Sequence, residues 1–344
     1  MADPIRAIFH TRSKVEHAKR RQVWSSGLST KSLKTYESRV NSNIETLMEQ
    51  LERHCARDGT LNASRWFKYF SFDVMGDVGF GRSFGMTDNG ETLDVLKKLE
   101  DGQKGLGIFG VVPWLFMILT QIPWIRKEHD VFVDWCVKTI CDRKERKTGV
   151  QDIAAALIED DSISADPALS HRWLTGDSRI LIVAGSDAVA SSLVFSSYYL
   201  AQDGGRADRI RAELATLHDD NSWDATMLQT QAPYLNAFIS EVLRLWPPNP
   251  SGVLRQTPKE GLQVNGTLIP GDITVCTPFW ALHRSTRISP RAMAIPPGSS
   301  AAKGRVCAVW QRRICVHRKA AGSDGTEVDD RKAGIEVSDP FRAR

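Results

Sequence analysis

The segment that most limits how this chain can fold is residues 177–203, DSRILIVAGSDAVASSLVFSSYYLAQD. The segment is long enough for a helix, and as a helix it would be apolar on nearly every side, whereas a surface helix carries a single apolar stripe. Such a helix is stable in water only when other elements cover most of its sides. The chain has 344 residues, enough for one large or two ordinary domains with a real core. The sequence therefore predicts a long helix in the middle of a large core.

Most of the remaining chain also has helical spacing. Segment 31–58 places apolar residues at steps of three and four, and segment 128–147 repeats the pattern and ends in a cationic turn. Segment 224–248 is helical until two prolines stop it. In segment 252–284, β-branched pairs punctuated by Gly and Pro predict short strands and turns. The predicted fold class is therefore mainly α with a small β region, and no periodicity continues beyond about residue 287.

Composition excludes several classes of protein. The chain is 42% hydrophobic and 25% charged, as in soluble globular proteins, and its net charge of +4 does not argue for nucleic-acid binding. The N-terminal residues lack the apolar core of a signal peptide, and we expect no transmembrane anchor. The cysteines are scattered with no CxxC spacing, which favours reduced thiols. They are Cys55, Cys136, Cys141, Cys276, Cys307 and Cys315.

The stretch SEVLRLWPP carries an acid and a base three residues apart. Glu241 and Arg244 therefore share one helix face, with apolar residues between and beside them. One interpretation is a surface ion pair that contributes little to stability. The other is a buried pair with further partners that fixes the architecture of the core.

Two other stretches also allow a structural and a functional interpretation. In AGSDAVASS, Gly185 and Asp187 are either a packing glycine with a paired acid, or a groove over a ligand into which Asp187 feeds protons. In HAKRRQVW, His17 and Arg21 lie one helical turn apart. They form either a solvated basic face or a clamp for the carboxylates of an anionic cofactor, and Arg255 is another cation of that kind.

Taken together and in this order, these stretches resemble the cytochrome P450 superfamily of haem-thiolate monooxygenases, and in particular its fungal secondary-metabolism type. HAKRRQVW resembles the family's helix C, where His17 and Arg21 match contacts to the haem propionates. Residues 70–86 resemble its helix E region, AGSDAVASSL the oxygen-binding groove of helix I, and EVLRLWPP the ExxR of helix K. Arg255 stands at a propionate-binding position in the strands that follow, and the resemblance covers roughly residues 5–287.

The resemblance implies an incomplete cytochrome P450 fold with two parts. Residues 1–287 would form a partial P450 domain, from helix C through the strands after helix K, and residues 288–344 an irregular, out-of-frame tail. It also implies a haem cofactor, a hydrophobic small-molecule substrate, a reductase as redox partner, and the endoplasmic-reticulum membrane as the family's location. Asp187 would then relay protons, and Glu241 with Arg244 would fix the core.

Three departures from the family pattern lead us to expect no normal activity. The chain begins at helix C, so the resemblance implies that the anchor, the first helices and most of the main sheet are missing. Ala188 stands where the family has the threonine that helps deliver protons, and Ser191, one turn on, is not expected to replace it. The haem loop of the family, FxxGxRxCxG, is matched at Cys315 and Arg313 only. The positions of its Phe and two Gly hold Ala308, Gln311 and His317.

A single-base slip of the coding frame near residue 288 is our hypothesis for this tail. With permitted synonymous codons, residues 309–319 then read FGKGAYACTGK, which has the FxxGxxxCxG pattern. Under this hypothesis Cys307 and Cys315 are by-products of the displaced frame. Two alternatives stay open: a weak monooxygenase that uses Cys315 as the haem ligand, and a non-catalytic helical binding or interaction protein.

Overall fold

A computed structural model gives the structure of the protein. It describes most of the chain up to residue 289, and helices dominate that part. The described residues are 7–9, 11, 13–58, 61–100, 118, 122–146, 149–162, 166–217, 224–289, 293 and 295. The strands among them are few and short, so the predicted fold class of mainly α with a small β region is confirmed.

The helices are numbered in chain order. They are α1 (Lys14–Gly27), α2 (Thr30–Asp58), α3 (Ala63–Phe80), α4 (Met86–Asn89), α5 (Pro123–Glu145), α6 (Ile153–Ser162), α7 (Pro167–Gln202), α8 (Gly204–Ala215), α9 (Ala225–Gln231), α10 (Pro233–Leu245) and α11 (Phe279–His283). Residues 94–100 are also helical.

Helix boundaries follow local capping chemistry. Four helices begin after a side chain that accepts a hydrogen bond from a backbone N–H of the first turn, which satisfies an otherwise unpaired donor. These caps are Ser13, Asn62, Asp166 and Asp224. Because Asp166 caps α7, this helix begins ten residues earlier than the apolar run alone predicts. Segment 224–248 forms two helices, because Pro233 lacks an N–H and starts a new one.

The β region consists of two antiparallel pairs. Strand β1 (Leu254–Gln256) pairs with β4 (Thr274–Cys276), and β2 (Leu262–Val264) pairs with β3 (Thr267–Ile269). The β2–β3 hairpin turns at an Asn-Gly pair whose φ angles of 46° and 79° are both positive, as a type I′ turn requires. Most side chains of these strands are exposed.

The crossing of α3 and α7 is the most extensive helix–helix contact in the described part of the chain. Two glycines allow the close approach. A Cβ on Gly79 would lie 3.3 Å from Leu181 Cδ2, and a Cβ on Gly185 would lie 2.1 Å from Met75 Cε. Gly185 therefore serves helix packing, which was one of the two interpretations of its position.

Buried apolar side chains form two clusters. The larger joins α2, α3, α5, α6 and the first half of α7, and it includes Tyr69, Phe72, Phe80, Phe132, Leu174 and Ile182. The smaller joins α8 and α10 with the end of α7, and its buried members are Ile210, Phe238, Val242, Leu245 and Ile295.

Helix α7 is covered less than its composition predicts. Its portion Ala168–Gln202 is long and apolar enough to cross a membrane, the one such helix among the described residues, and only 22% of its most apolar window is buried. Val189 is 46% exposed. Helices α5, α6, α8 and α10 contact α7 as well as α3, so the expectation of a central helix holds, although part of its surface is exposed within the described part.

Candidate cofactor-binding site

Helix α7 has a packed side and an open side. On the packed side Ser186 is buried, and its carbonyl accepts a hydrogen bond of 2.5 Å from Ser71 Oγ of α3. On the open side Ala184 and Asp187 are exposed, with Ala188 half-buried beside them. Ala184 and Asp187 therefore form an exposed strip of α7 that carries a small side chain and a carboxylate.

The carboxyl of Asp187 reaches solvent, but the surrounding protein still perturbs it. Partial burial raises the pKa of Asp187, and the charge of Lys68 on α3 opposes that rise. Burial likewise lowers the pKa of Lys68, which also forms an ion pair with Glu100. A carboxyl with a raised pKa can carry a proton closer to neutral pH than an ordinary aspartate.

The hydroxyl of Ser191 is already engaged by its own helix. Ser191 Oγ donates to the carbonyl of Asp187 at 2.9 Å and lies 3.2 Å from the carbonyl of Ala188. This is the usual back-bonding of a helical serine. That Ser191 does not replace the threonine that the family has at position 188 stays a prediction.

His17 and Arg21 are both exposed on α1. Among the described residues, neither side chain has a hydrogen bond or an ion-pair partner. Arg255 is exposed on β1, where its Nη1 donates to the carbonyl of Leu254 at 2.9 Å. No described contact joins Arg255 to His17 or Arg21. The three side chains are exposed, and their propionate role remains a prediction.

Beside this exposed pair, Arg20 is buried, and the sequence patterns did not single it out. Its Nε donates to Asp177 Oδ2 at 2.5 Å, and its Nη1 donates to Asp160 Oδ2 at 2.6 Å. Trp24 Nε1 donates to the same Asp177 oxygen at 3.0 Å. One network therefore attaches α1 to α6 and α7.

Glu241 and Arg244 form a buried pair on α10. Arg244 Nη2 donates to Glu241 Oε2 at 2.8 Å, and Arg244 Nε lies 3.0 Å from the same oxygen. Arg244 Nη1 donates to the carbonyl of His283 at 2.8 Å, which ties α10 to α11. The side chains of the pair are only 5% and 3% exposed, so the surface ion-pair interpretation does not apply.

Within the described residues, no group of three or more His, Cys, Asp or Glu side chains could hold a metal ion. The thiols of Cys55, Cys136 and Cys276 are free. Burial strongly raises the pKa of the Cys136 thiol, so it remains a protonated core side chain. Cys307 and Cys315 lie outside the described residues.

The fold and the site together define a class of protein. It is a mainly α protein in which a long helix presents small residues and an exposed carboxylate, with a cationic helix attached to it and a buried ExxR pair near a second cluster. The family comparison agrees, because the cytochrome P450 model matches residues 2–293. The chain belongs to the cytochrome P450 family.

Fungal cytochromes P450 are among its relatives. Cytochrome P450 monooxygenase FCK2 of Fusarium pseudograminearum is 33% identical over 83% of this chain and 52% of its own length. Tryprostatin B 6-hydroxylase of Aspergillus fumigatus is 33% identical over 82% of this chain and 50% of its own length. The chain therefore spans about half the length of these relatives.

The fold comparison agrees with the family assignment. A crystal structure of a cytochrome P450, CYP102L1, matches with a TM-score of 0.70 at 16% identity, covering 87% of this chain and 69% of that one. At this identity the match shows the fold alone.

Proposed function

We propose that the family activity behind this chain is haem-dependent monooxygenation of a hydrophobic small molecule in fungal secondary metabolism. The observation that carries the proposal is the exposed face of α7 with Ala184 and Asp187, in a chain that belongs to the cytochrome P450 family. The printed names of the fungal relatives, a monooxygenase and a hydroxylase, support the reaction class. A hydrophobic substrate and a reductase partner follow from the same family.

The described residues fit a haem on its propionate side. His17 and Arg21 are exposed and have no anionic partner among the described residues. Side chains of these types can form hydrogen bonds with the carboxylates of a haem. Ala184 is exposed and Ala188 half-buried on α7, and their methyl groups are the smallest side chains that a flat group could pack against. Arg255 is a third candidate for a propionate contact.

When bound through a cysteine thiolate, haem supplies the oxygen activation, and the protein supplies ligation, position and proton traffic. In this chain Asp187 is the group that holds and releases a proton, because partial burial raises its pKa. Ala188 offers no hydroxyl, and that of Ser191 bonds to its own helix. We therefore expect slow or uncoupled turnover even where haem is held.

We further propose that the chain as given does not complete the thiolate loop and so has no normal activity. The support is that Ala308, Gln311 and His317 stand at the family's Phe and Gly positions around Cys315. The family match ends at residue 293, which supports a change in the character of the sequence near residue 288. The coding sequence tests the frame hypothesis, which is abandoned if no single-base shift restores a haem loop there.

A haem titration tests the propionate role. The apo chain is titrated with haemin and followed by absorption, for the unaltered chain, His17→Gln, Arg21→Gln and the control Lys19→Gln. Lys19 is another exposed cation of α1. Because each variant removes a charge-assisted contact, we expect His17→Gln and Arg21→Gln to weaken binding about tenfold or more, and Lys19→Gln not to change it.

Equal effects of all three variants would contradict the assignment. No specific haem uptake, combined with retention of a small molecule or a protein partner, would favour the non-catalytic binding protein instead.

A further inference from the structure

We propose that Arg20 is a positioning residue. Through Asp177 and Asp160 it fixes α1 to α7 and α6, so that His17 and Arg21 are presented to the carboxylates of the cofactor at a fixed place relative to the helix that carries Asp187. The inference rests on the proposed function and deepens it, because it names the residues that determine where the cationic pair stands.

The contacts of Arg20 bridge three helices. The side chain is 6% exposed and its partner Asp177 is fully buried, so the pair is shielded from competing water and salt. Its second partner, Asp160 of α6, is 39% exposed and completes a fork of two charge-assisted bonds. The guanidinium also lies over the ring of Trp173, 5.7 Å from its centroid.

The Asp177 carboxylate collects several donors from the N-terminal part of the chain. Its Oδ2 accepts from Arg20 Nε and from Trp24 Nε1, and its Oδ1 accepts from the backbone N–H of Ile8 at 2.9 Å. Asp177 and Asp187 lie ten residues apart on one helix, about 15 Å along its axis. The attachment of α1 therefore has a defined spacing from the candidate proton-carrying group.

Helix α1 packs along α6, and Val23 and Trp24 in its second half are partly buried against the larger cluster. Its buried residues are Arg20 and Gly27, and Gly27 packs on Ile153 at the far end of the helix. In the first half of α1, residues 14–20, the one buried residue is Arg20, so the polar network is the buried anchor of that half. Loss of the network should loosen this half of α1 more than the rest of the chain.

Hydrogen exchange of the apo chain tests the first half of the proposal. Asp177→Asn keeps the shape of the side chain but removes its charge. Asp73→Asn is the matched control, because Asp73 is equally buried and accepts from two backbone N–H groups, Met86 and Thr87, away from α1. We expect Asp177→Asn to speed exchange in residues 14–21 about tenfold or more relative to α3, and Asp73→Asn to leave residues 14–21 unchanged.

If Asp177→Asn fails to fold, Arg20→Lys is the second variant, because it keeps the charge and loses the fork. Uniform loosening of the chain in both the Asp177 and Asp73 variants would overturn the positioning role. This readout needs no haem, so it decides the inference even if the proposed cofactor role fails.

A haem-binding cycle tests the second half. Asp177→Asn is combined with the double variant His17→Gln/Arg21→Gln, and haemin affinity is measured for each. If Asp177 acts only through the cationic pair, Asp177→Asn weakens haemin binding when His17 and Arg21 are present and has no further effect when both are substituted. We expect about a tenfold loss in the first background and less than about twofold in the second. Equal losses in both backgrounds would show a merely structural effect.

Discussion

The two halves of the described chain achieve order by different means. From α1 to the first half of α7, buried aromatic and aliphatic side chains form one broad cluster. From α8 to α11, the buried apolar set is small and the four strands are largely exposed, with Leu254 66% and Leu268 63% exposed. The second half is instead held by directional contacts: the Glu241–Arg244 pair with its bond to α11, and a stack of Phe195 on Trp246 at 4.0 Å.

This difference predicts which substitutions lower the stability of the chain most. In the first half, stability should follow buried volume, because neighbouring helices share one core. In the second half, it should follow the few polar and aromatic contacts that join α10 and α11. Exposed apolar strand residues there should contribute little to the stability of this chain.

The largest effect should come from Glu241→Gln. The substitution leaves the charge of Arg244 buried and unpaired, so we expect a loss of about 3–5 kcal/mol of unfolding free energy. The matched control is Asp208→Asn. It removes the acid of an ion pair with Arg211 that has the same i,i+3 spacing but whose side chains are 73% and 74% exposed. There we expect a loss below about 1 kcal/mol. Urea denaturation followed by circular dichroism measures both, and similar values would remove the distinction between the pairs.

A leucine pair compares the two halves directly. Leu174 is 1% exposed in the larger cluster, and Leu268 is 63% exposed on β3. We expect Leu174→Ala to cost about 2–5 kcal/mol, because it leaves a cavity, and Leu268→Ala to change stability by no more than about 0.5 kcal/mol. A large loss for Leu268→Ala in the same denaturation experiment would show that the strands are packed in solution.

The smallest effect is a pH dependence confined to the second half. Burial lowers the pKa of His283, while the nearby carbonyl of Arg244, 3.2 Å from Nδ1, opposes this shift. The folded state thus binds fewer protons than the unfolded state, so stability decreases as pH falls through the unfolded value of about 6.5. We expect His283→Gln to reduce the change of unfolding free energy between about pH 7 and 5, because glutamine does not titrate while its amide can still donate a hydrogen bond. An unchanged slope in the variant would assign the dependence to other groups.

Local patterns predicted the local features of this molecule. The 3.6-residue period of segment 31–58 marked α2, and the apolar neighbours of Glu241 and Arg244 marked a pair that proved to be buried. The Arg20–Asp177 pair gave no such signal, because its members lie 157 residues apart in the sequence and meet only in the folded chain.

The openness of α7 was also beyond the sequence. Its composition predicts burial on most sides, but which sides are covered depends on what packs against it. The roles of His17, Arg21 and Arg255 remain predictions from family resemblance, since exposure alone does not distinguish a ligand contact from a solvated cation.

The most direct test of the central claim is the absorption spectrum of the reduced, carbon monoxide-treated chain after expression with haem supply. The claim is that this chain keeps the propionate and proton-handling side of a cytochrome P450 site but does not ligate iron through a thiolate. It predicts no thiolate-type Soret band. A stoichiometric thiolate-type band that disappears in Cys315→Ala would contradict it and establish Cys315 as the iron ligand.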